Sequence, residues 1–153
     1  ARRGTLLHAL FERLPGIAVA DRKGLALKWL ERASVEDPAR EEIAGSACSL
    51  IADPAYADLF ADGSLAEAPI AAGLPDGRVI AGTVDRLCIG ASLVRVIDFK
   101  TGRNVPADLA SVPSSHRAQM EAYAEALRVI FPGRKVEAAL LYTAGPRLIS
   151  VAG

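Results

Sequence analysis

Residues 78–102 read RVIAGTVDRLCIGASLVRVIDFKTG, and this stretch decides the fold. It holds two β-rich runs, 78–89 and 93–99, separated by Gly90-Ala91-Ser92, which is the signature of a hairpin. Side chains alternate along a strand, so Asp98 and Lys100 share a face with Val94 and Val96. Two charged groups therefore end a stripe that otherwise reads as core. On the preceding run Asp85 is expected to share a face with Val79, Ala81, Thr83 and Leu87. If Ala91-Ser92 form a tight turn, opposed residue numbers sum to 183 and Asp85 sits directly across from Asp98, whereas a three-residue loop shifts the register by one and spoils the alignment unless a bulge restores it. Opposed side chains lie about 5 Å apart at Cβ, and like charges there repel. A divalent cation resolves the conflict. Mg²⁺ suits such a ligand set, with one or two carboxylates completed by water and phosphate oxygens.

Outward from the hairpin the pattern is helical before and mixed after. Apolar periodicity predicts helices over 5–14, 20–32 and 36–52, the first capped by Thr5 and stopped by Pro15-Gly16, the third opened by acidic residues. Asp53-Pro54 breaks the third, and a short helical turn to Phe60 follows. A short strand over 66–72 precedes the hairpin; a helix from about 112 to 130 and strands near 135–143 and 147–151 close the chain. The expected class is mixed α/β: a central, mostly antiparallel or mixed sheet flanked by helices, with an N-terminal helical segment. A single domain over 1–153 is expected, with a helical part (1–60) and a sheet-and-helix core (64–153). The start at alanine, followed almost at once by helix, reads as a piece of a longer polypeptide.

Composition narrows the function classes. Eighteen acidic and eighteen basic residues give zero net charge, which counts against a self-sufficient binder that holds duplex DNA by phosphate neutralisation alone. Cys48 and Cys88 are forty residues apart and lack a C-x-x-C partner, so disulfide, zinc and iron–sulfur frameworks are unsupported. No apolar run is long enough for a membrane span, and no leader is visible. A cytoplasmic setting without membrane partners is expected.

Four sequence blocks then stand in order: Gly4-Thr5-Leu6-Leu7-His8, Gly82-Thr83-Val84-Asp85-Arg86-Leu87, Ile97-Asp98-Phe99-Lys100-Thr101-Gly102, and Gln119 with Tyr123 four residues on. Together they resemble the G-T-x-x-H, G-x-x-D-R-L, D-[FY]-K-T-G and Q-x-x-x-Y blocks of the PD-(D/E)XK nuclease superfamily. Within it they look most like the RecB/AddA type, the C-terminal nuclease domain of bacterial helicase–nucleases, and most of all AddA. The resemblance spans residues 3 to about 143. It implies a restriction-endonuclease-like core and Mg²⁺-dependent hydrolysis of DNA phosphodiesters, with Mn²⁺ able to substitute. It also implies a role in resecting double-strand breaks for recombinational repair. Implied partners are DNA, as single-stranded ends, the helicase portion of a parent chain, and a second helicase–nuclease subunit. Related AddB-type domains carry a four-cysteine iron–sulfur staple; with two cysteines this chain fits the cluster-free branch.

The resemblance assigns roles. Asp85 and Asp98 are metal ligands, joined by the main-chain carbonyl of Phe99 and by His8. Placed one turn after a cap at Thr5, His8 would feel the positive helix end, which favours the neutral, ligating imidazole. Lys100 holds or activates the attacking water and offsets charge on the phosphate. Beside two carboxylates it is expected to act as a cation rather than as a general base. Gln119 and Tyr123, stacked on one helix face, become supporting or phosphate contacts. Glu67 stands where the family often has an acid on the first strand, binding metal or supporting Lys100. Arg86, Arg103, His116 and Arg117 are basic residues near these blocks and candidates for phosphate contact. Two other readings compete: a free-standing nuclease or resolvase, and a non-catalytic DNA-end-binding or interaction module of the same fold.

Overall fold

The structure, a computed structural model, describes residues 2–153. The chain divides into two compact units, one ending at Asp62 and the other running Gly63–Gly153.

The first unit is helical: α1 (Arg2–Arg13), α2 (Val19–Arg32), α3 (Ala39–Ala52) and a short 3-10 helix (Pro54–Phe60). Its core is the apolar stripe of each helix: Leu6, Leu7, Leu10 and Phe11 of α1, Ala26 and Leu30 of α2, and Ile43, Ala44, Ala47, Leu50 and Ile51 of α3. Phe11 meets Phe60 with ring centroids 6.1 Å apart. Two helix starts differ from the sequence expectation. α1 begins at Arg2, so Thr5 lies inside it and is not its cap. Arg3 in that added turn holds Glu42 of α3 through Nε at 2.7 Å and Nη2 at 2.9 Å. α3 begins at Ala39 rather than at 36, because Pro38 disfavours helical backbone at the residue before it and sits at the N-cap. Asp53 ends α3 and accepts the backbone N–H of Ala55 at 2.9 Å, which starts the 3-10 helix.

The second unit is a five-stranded sheet in the order β1 (Leu65–Gly73), β2 (Val79–Ile89), β3 (Leu93–Lys100), β4 (Lys135–Tyr142), β5 (Arg147–Ala152). Three of its neighbour pairs are antiparallel and β3–β4 is parallel. The parallel pair needs a crossover. α4 (Ser114–Ile130) supplies it, and its buried Met120, Ala124, Ala126 and Leu127 pack with Val94, Val96, Val136, Ala138 and Leu140 in one apolar cluster. The mixed α/β class expected from the element order is the class observed. The β2–β3 hairpin closes as its sequence implied: Gly90 N–H donates to Leu93 C=O at 2.8 Å across Ala91-Ser92. The ladder runs Ile89↔Val94 to Arg86↔Ile97, which is the register that sums to 183.

Candidate functional site

The site lies where β2 and β3 part. Their ladder ends at Arg86↔Ile97, and Asp85 and Asp98 are the next residue on each strand. There the backbone N–H of Phe99 donates to Asp85 Oδ2 at 2.8 Å, so a side-chain carboxylate replaces a strand carbonyl as acceptor. That bond ends the regular ladder and fixes the Asp85 carboxylate close enough to Asp98 to raise its pKa.

β1 adds a second irregularity at the same level. Its ladder to β2 is continuous from Gly73↔Val79 to Ala68↔Val84 and resumes at Ala66↔Arg86, omitting Glu67 opposite Asp85. Glu67 has φ of 50°, the left-handed region, which costs a non-glycine residue about 1–2 kcal/mol. A carboxylate oxygen of Glu67 lies within 4.8 Å of one of Asp85. The simple alternation expected for β2 fails here. Val84 and Leu87, three apart, both enter the apolar cluster, whereas Val79, Ala81 and Thr83 are exposed. The backbone turns over at Asp85, and the carboxylates gather where the strands are least regular.

Lys100 ends the same face of β3. Its Nζ is 2.8 Å from Asp98 Oδ2, with side chains 24% and 18% exposed respectively. The Asp98 carboxyl is pushed up to about 7, first by burial, then by the hydrogen bond and charge of Asp85, with Lys100 pulling the other way. Its ordinary value is 3.8, so between that pH and about 7 the folded chain holds a proton that the unfolded chain has released. Stability contributed by this group therefore falls as pH rises through that window. Thermal unfolding in EDTA is expected to show the midpoint dropping as pH rises from about 4 to about 7. Asp98→Asn should flatten that slope; an equal slope in both proteins would contradict the assignment.

Tyr142 is a site neighbour that sequence reasoning missed. It is the partner of Lys100 in the parallel β3–β4 register, 4% exposed, and among the described residues its Oη has no hydrogen-bond partner. Burial raises its hydroxyl pKa; Lys100 lowers it and Asp98 raises it, which puts all three groups in one electrostatic neighbourhood. Its position in Leu140-Leu141-Tyr142 reads as ordinary core strand, and only the orphaned hydroxyl marks it. His116, in the first turn of α4, has a buried Nδ1 without a partner, and burial and then Lys100 push its pKa down. Arg117 Nε is likewise buried and, among the described residues, unpartnered.

Gln119 and Tyr123 are brought together, Gln119 Nε2 donating to Tyr123 Oη at 3.3 Å. A Cβ added to Gly82 would stand 2.8 Å from Tyr123 Oη and 3.2 Å from Cε1. The glycine of the β2 block and the tyrosine of the α4 block are thus two halves of one contact: the ring lies on a strand position that has no room for a side chain. Gly82→Ala is expected to push Tyr123 off the strand and break its bond to Gln119. The cost is roughly 1–3 kcal/mol of stability. Chemical unfolding would measure it, and the double variant Gly82→Ala/Tyr123→Phe, which removes the hydroxyl that the new Cβ meets, should recover part of the loss.

Arg86 lies inside the protein, 4% exposed, with Nε and Nη2 on Ser64 Oγ at 3.1 and 2.7 Å. A guanidinium so enclosed supports the strand and is not placed to meet phosphate. Arg103 is exposed in the segment after β3. His8 is half-buried on α1 in the helical unit. It is the seventh residue of that helix, whose first residue is Arg2, so the helix-end effect expected of a first-turn histidine is largely spent. Cys48 and Cys88 form no disulfide among the described residues. Among the described residues no helix is long and apolar enough to cross a membrane.

Comparison with known proteins gives a match to the family model described as the PD-(D/E)XK nuclease superfamily, over residues 1–149. No curated protein matches the chain. Solved structures that match include one titled "Crystal structure of SSO0001", at 15% identity and a TM-score of 0.41, covering 97% of this chain and 76% of that one.

Proposed function

The chain belongs to the PD-(D/E)XK nuclease superfamily, and from that premise we propose that it is a Mg²⁺-dependent deoxyribonuclease whose reaction is carried by Asp85, Asp98 and Lys100. The observation that carries this reading is the half-buried carboxylate pair at the β2–β3 divergence, held at its ends by Phe99 N–H and Lys100 Nζ. Two neighbouring carboxylates, with Glu67 beside one of them, are an oxygen donor set of the kind a hard divalent cation takes. Asp85, Asp98 and the Phe99 carbonyl would hold Mg²⁺ or Mn²⁺, with Glu67 as a further acid. His8 stays in the ligand set on the strength of its G-T-x-x-H block. A bound cation there would polarise the scissile phosphate and acidify a bound water.

The chain's own groups do the rest. Asp85 and Asp98 must both be ionised to act as ligands, so the proton that Asp98 retains up to about pH 7 has to leave. Lys100, the cation nearest the pair, orients the attacking water and offsets charge building on the phosphate. Once Asp98 no longer engages it alone, the ammonium can be held by Tyr142 Oη, the buried polar atom lacking a partner at the same level. Gln119 and Tyr123 border the strand on the α4 side as a hydrogen-bonding wall. His116 and Arg117, at the start of α4, offer donors to a phosphate. As the biological setting we propose end resection in recombinational repair, within a RecB/AddA-type, cluster-free helicase–nuclease. There the domain would act on single-stranded ends in a bacterial cytoplasm, beside the helicase portion of its parent and a second subunit. This reading rests on the four ordered blocks and on the neutral net charge, which suits a domain whose hold on DNA is supplemented by a partner.

End-labelled single- and double-stranded oligonucleotides incubated with Mg²⁺, Mn²⁺ or EDTA test the proposal. Cleavage with either metal, stopped by EDTA, is expected. DNA binding without cleavage under every metal condition would favour the non-catalytic end-binding module.

A further inference from the structure

The helical unit carries a second feature that the carboxylate site does not use. A cavity of about 370 Å³ is lined by α1, the turn after it and α2, with Leu14, Leu25 and Trp29 among its apolar walls and Arg13, Lys28 and Arg32 as its charged groups. Among the described residues no carboxylate lines it. In a chain with zero net charge this is a local excess of positive charge, not a reflection of composition. The three cations are exposed, and none is in an ion pair among the described residues. Arg13 instead lies over the Trp29 ring, 5.3 Å from its centroid. Leu25 is 44% exposed, so apolar surface is open to solvent beside the indole.

An indole flanked by unpaired guanidinium and ammonium groups is the chemistry that receives an unpaired nucleobase with its phosphates. We propose that this groove is a subsite for single-stranded nucleic acid. One base stacks against Trp29 in place of the Arg13 guanidinium, and Arg13, Lys28 and Arg32 take the flanking phosphates. Duplex DNA fits less well, since its bases are not free to enter an apolar pocket. The proposal rests on the nuclease reading only for its choice of DNA as the polyanion.

Trp29 is the sole tryptophan, so its fluorescence reports on this groove alone. Titration of the whole chain with oligothymidylate in EDTA is expected to quench it saturably. Affinity should fall as salt rises, and fall at least about tenfold in Arg13→Glu/Arg32→Glu. The substituted residues are exposed, and circular dichroism checks that the variant folds. Absence of quenching, quenching unchanged in the variant, or equal quenching by inorganic polyphosphate or duplex DNA would overturn the proposal. So would sedimentation showing that the groove is covered by a second copy of the chain. Cleavage measured separately with Mg²⁺ keeps the two readings apart. Cleavage without quenching removes the groove alone, and quenching without cleavage removes the nuclease reading alone.

Discussion

Asp98→Asn is expected to lower DNA cleavage by about a thousandfold or more, which corresponds to roughly 4 kcal/mol of lost transition-state stabilisation. The same variant should be no less stable than wild type in EDTA at neutral pH. Asparagine keeps the shape of the side chain while removing one of two like charges at the strand divergence, so the folded state gains what the site loses. Cleavage rates under saturating Mg²⁺, set beside unfolding midpoints in EDTA, separate the two effects. A variant that loses activity and stability together would mean that Asp98 is chiefly a structural partner of Lys100, from which it is 2.8 Å away.

Lys100→Ala is the second large effect. Loss of one preorganised cation at a developing oxyanion costs about 10²–10³ in turnover. Metal affinity should hold or rise, because the ammonium that competes for Asp98 Oδ2 is gone. The loss should fall on kcat and leave KM for DNA little changed, since one lysine adds little to a grip spread over many phosphates. Single-turnover cleavage at saturating metal and DNA measures it. Lys100→Arg is not expected to rescue the activity, because a planar fork does not occupy the place of a compact ammonium.

The hairpin was legible because three local signals agree. Alternation ran through 93–99, a Gly-Ala-Ser turn stood between the strands, and the offset it sets brings two aspartates level. The observed ladder carries that register to the residue before the pair. Helix positions were legible from apolar periodicity, but their starts were not. Thr5 is an adequate cap by type, yet the chain extends the helix to Arg2, where a long-range contact from Arg3 to Glu42 rewards another turn. Less legible was the strand irregularity at the site itself. A glutamate at φ 50° opposite Asp85 follows no propensity rule, and it exists because surrounding ladders hold it there. Tyr142 escaped for a different reason: it follows an apolar run, Ala138-Ala139-Leu140-Leu141, and the hydroxyl gains meaning only from the parallel pairing that sets it beside Lys100. The role of Gly82 could not be read from its strand alone either, since the ring that needs its missing Cβ comes from α4, more than a full strand away in sequence.

Direct measurement of metal binding addresses the central claim, that Asp85 and Asp98 form a cation site and not merely a strained structural pair. Mn²⁺ binding followed by electron paramagnetic resonance, at a pH above the Asp98 transition near 7, should show saturable binding in the wild type. It should be lost in Asp85→Asn/Asp98→Asn. Equal Mn²⁺ affinity in the two folded proteins would contradict the account.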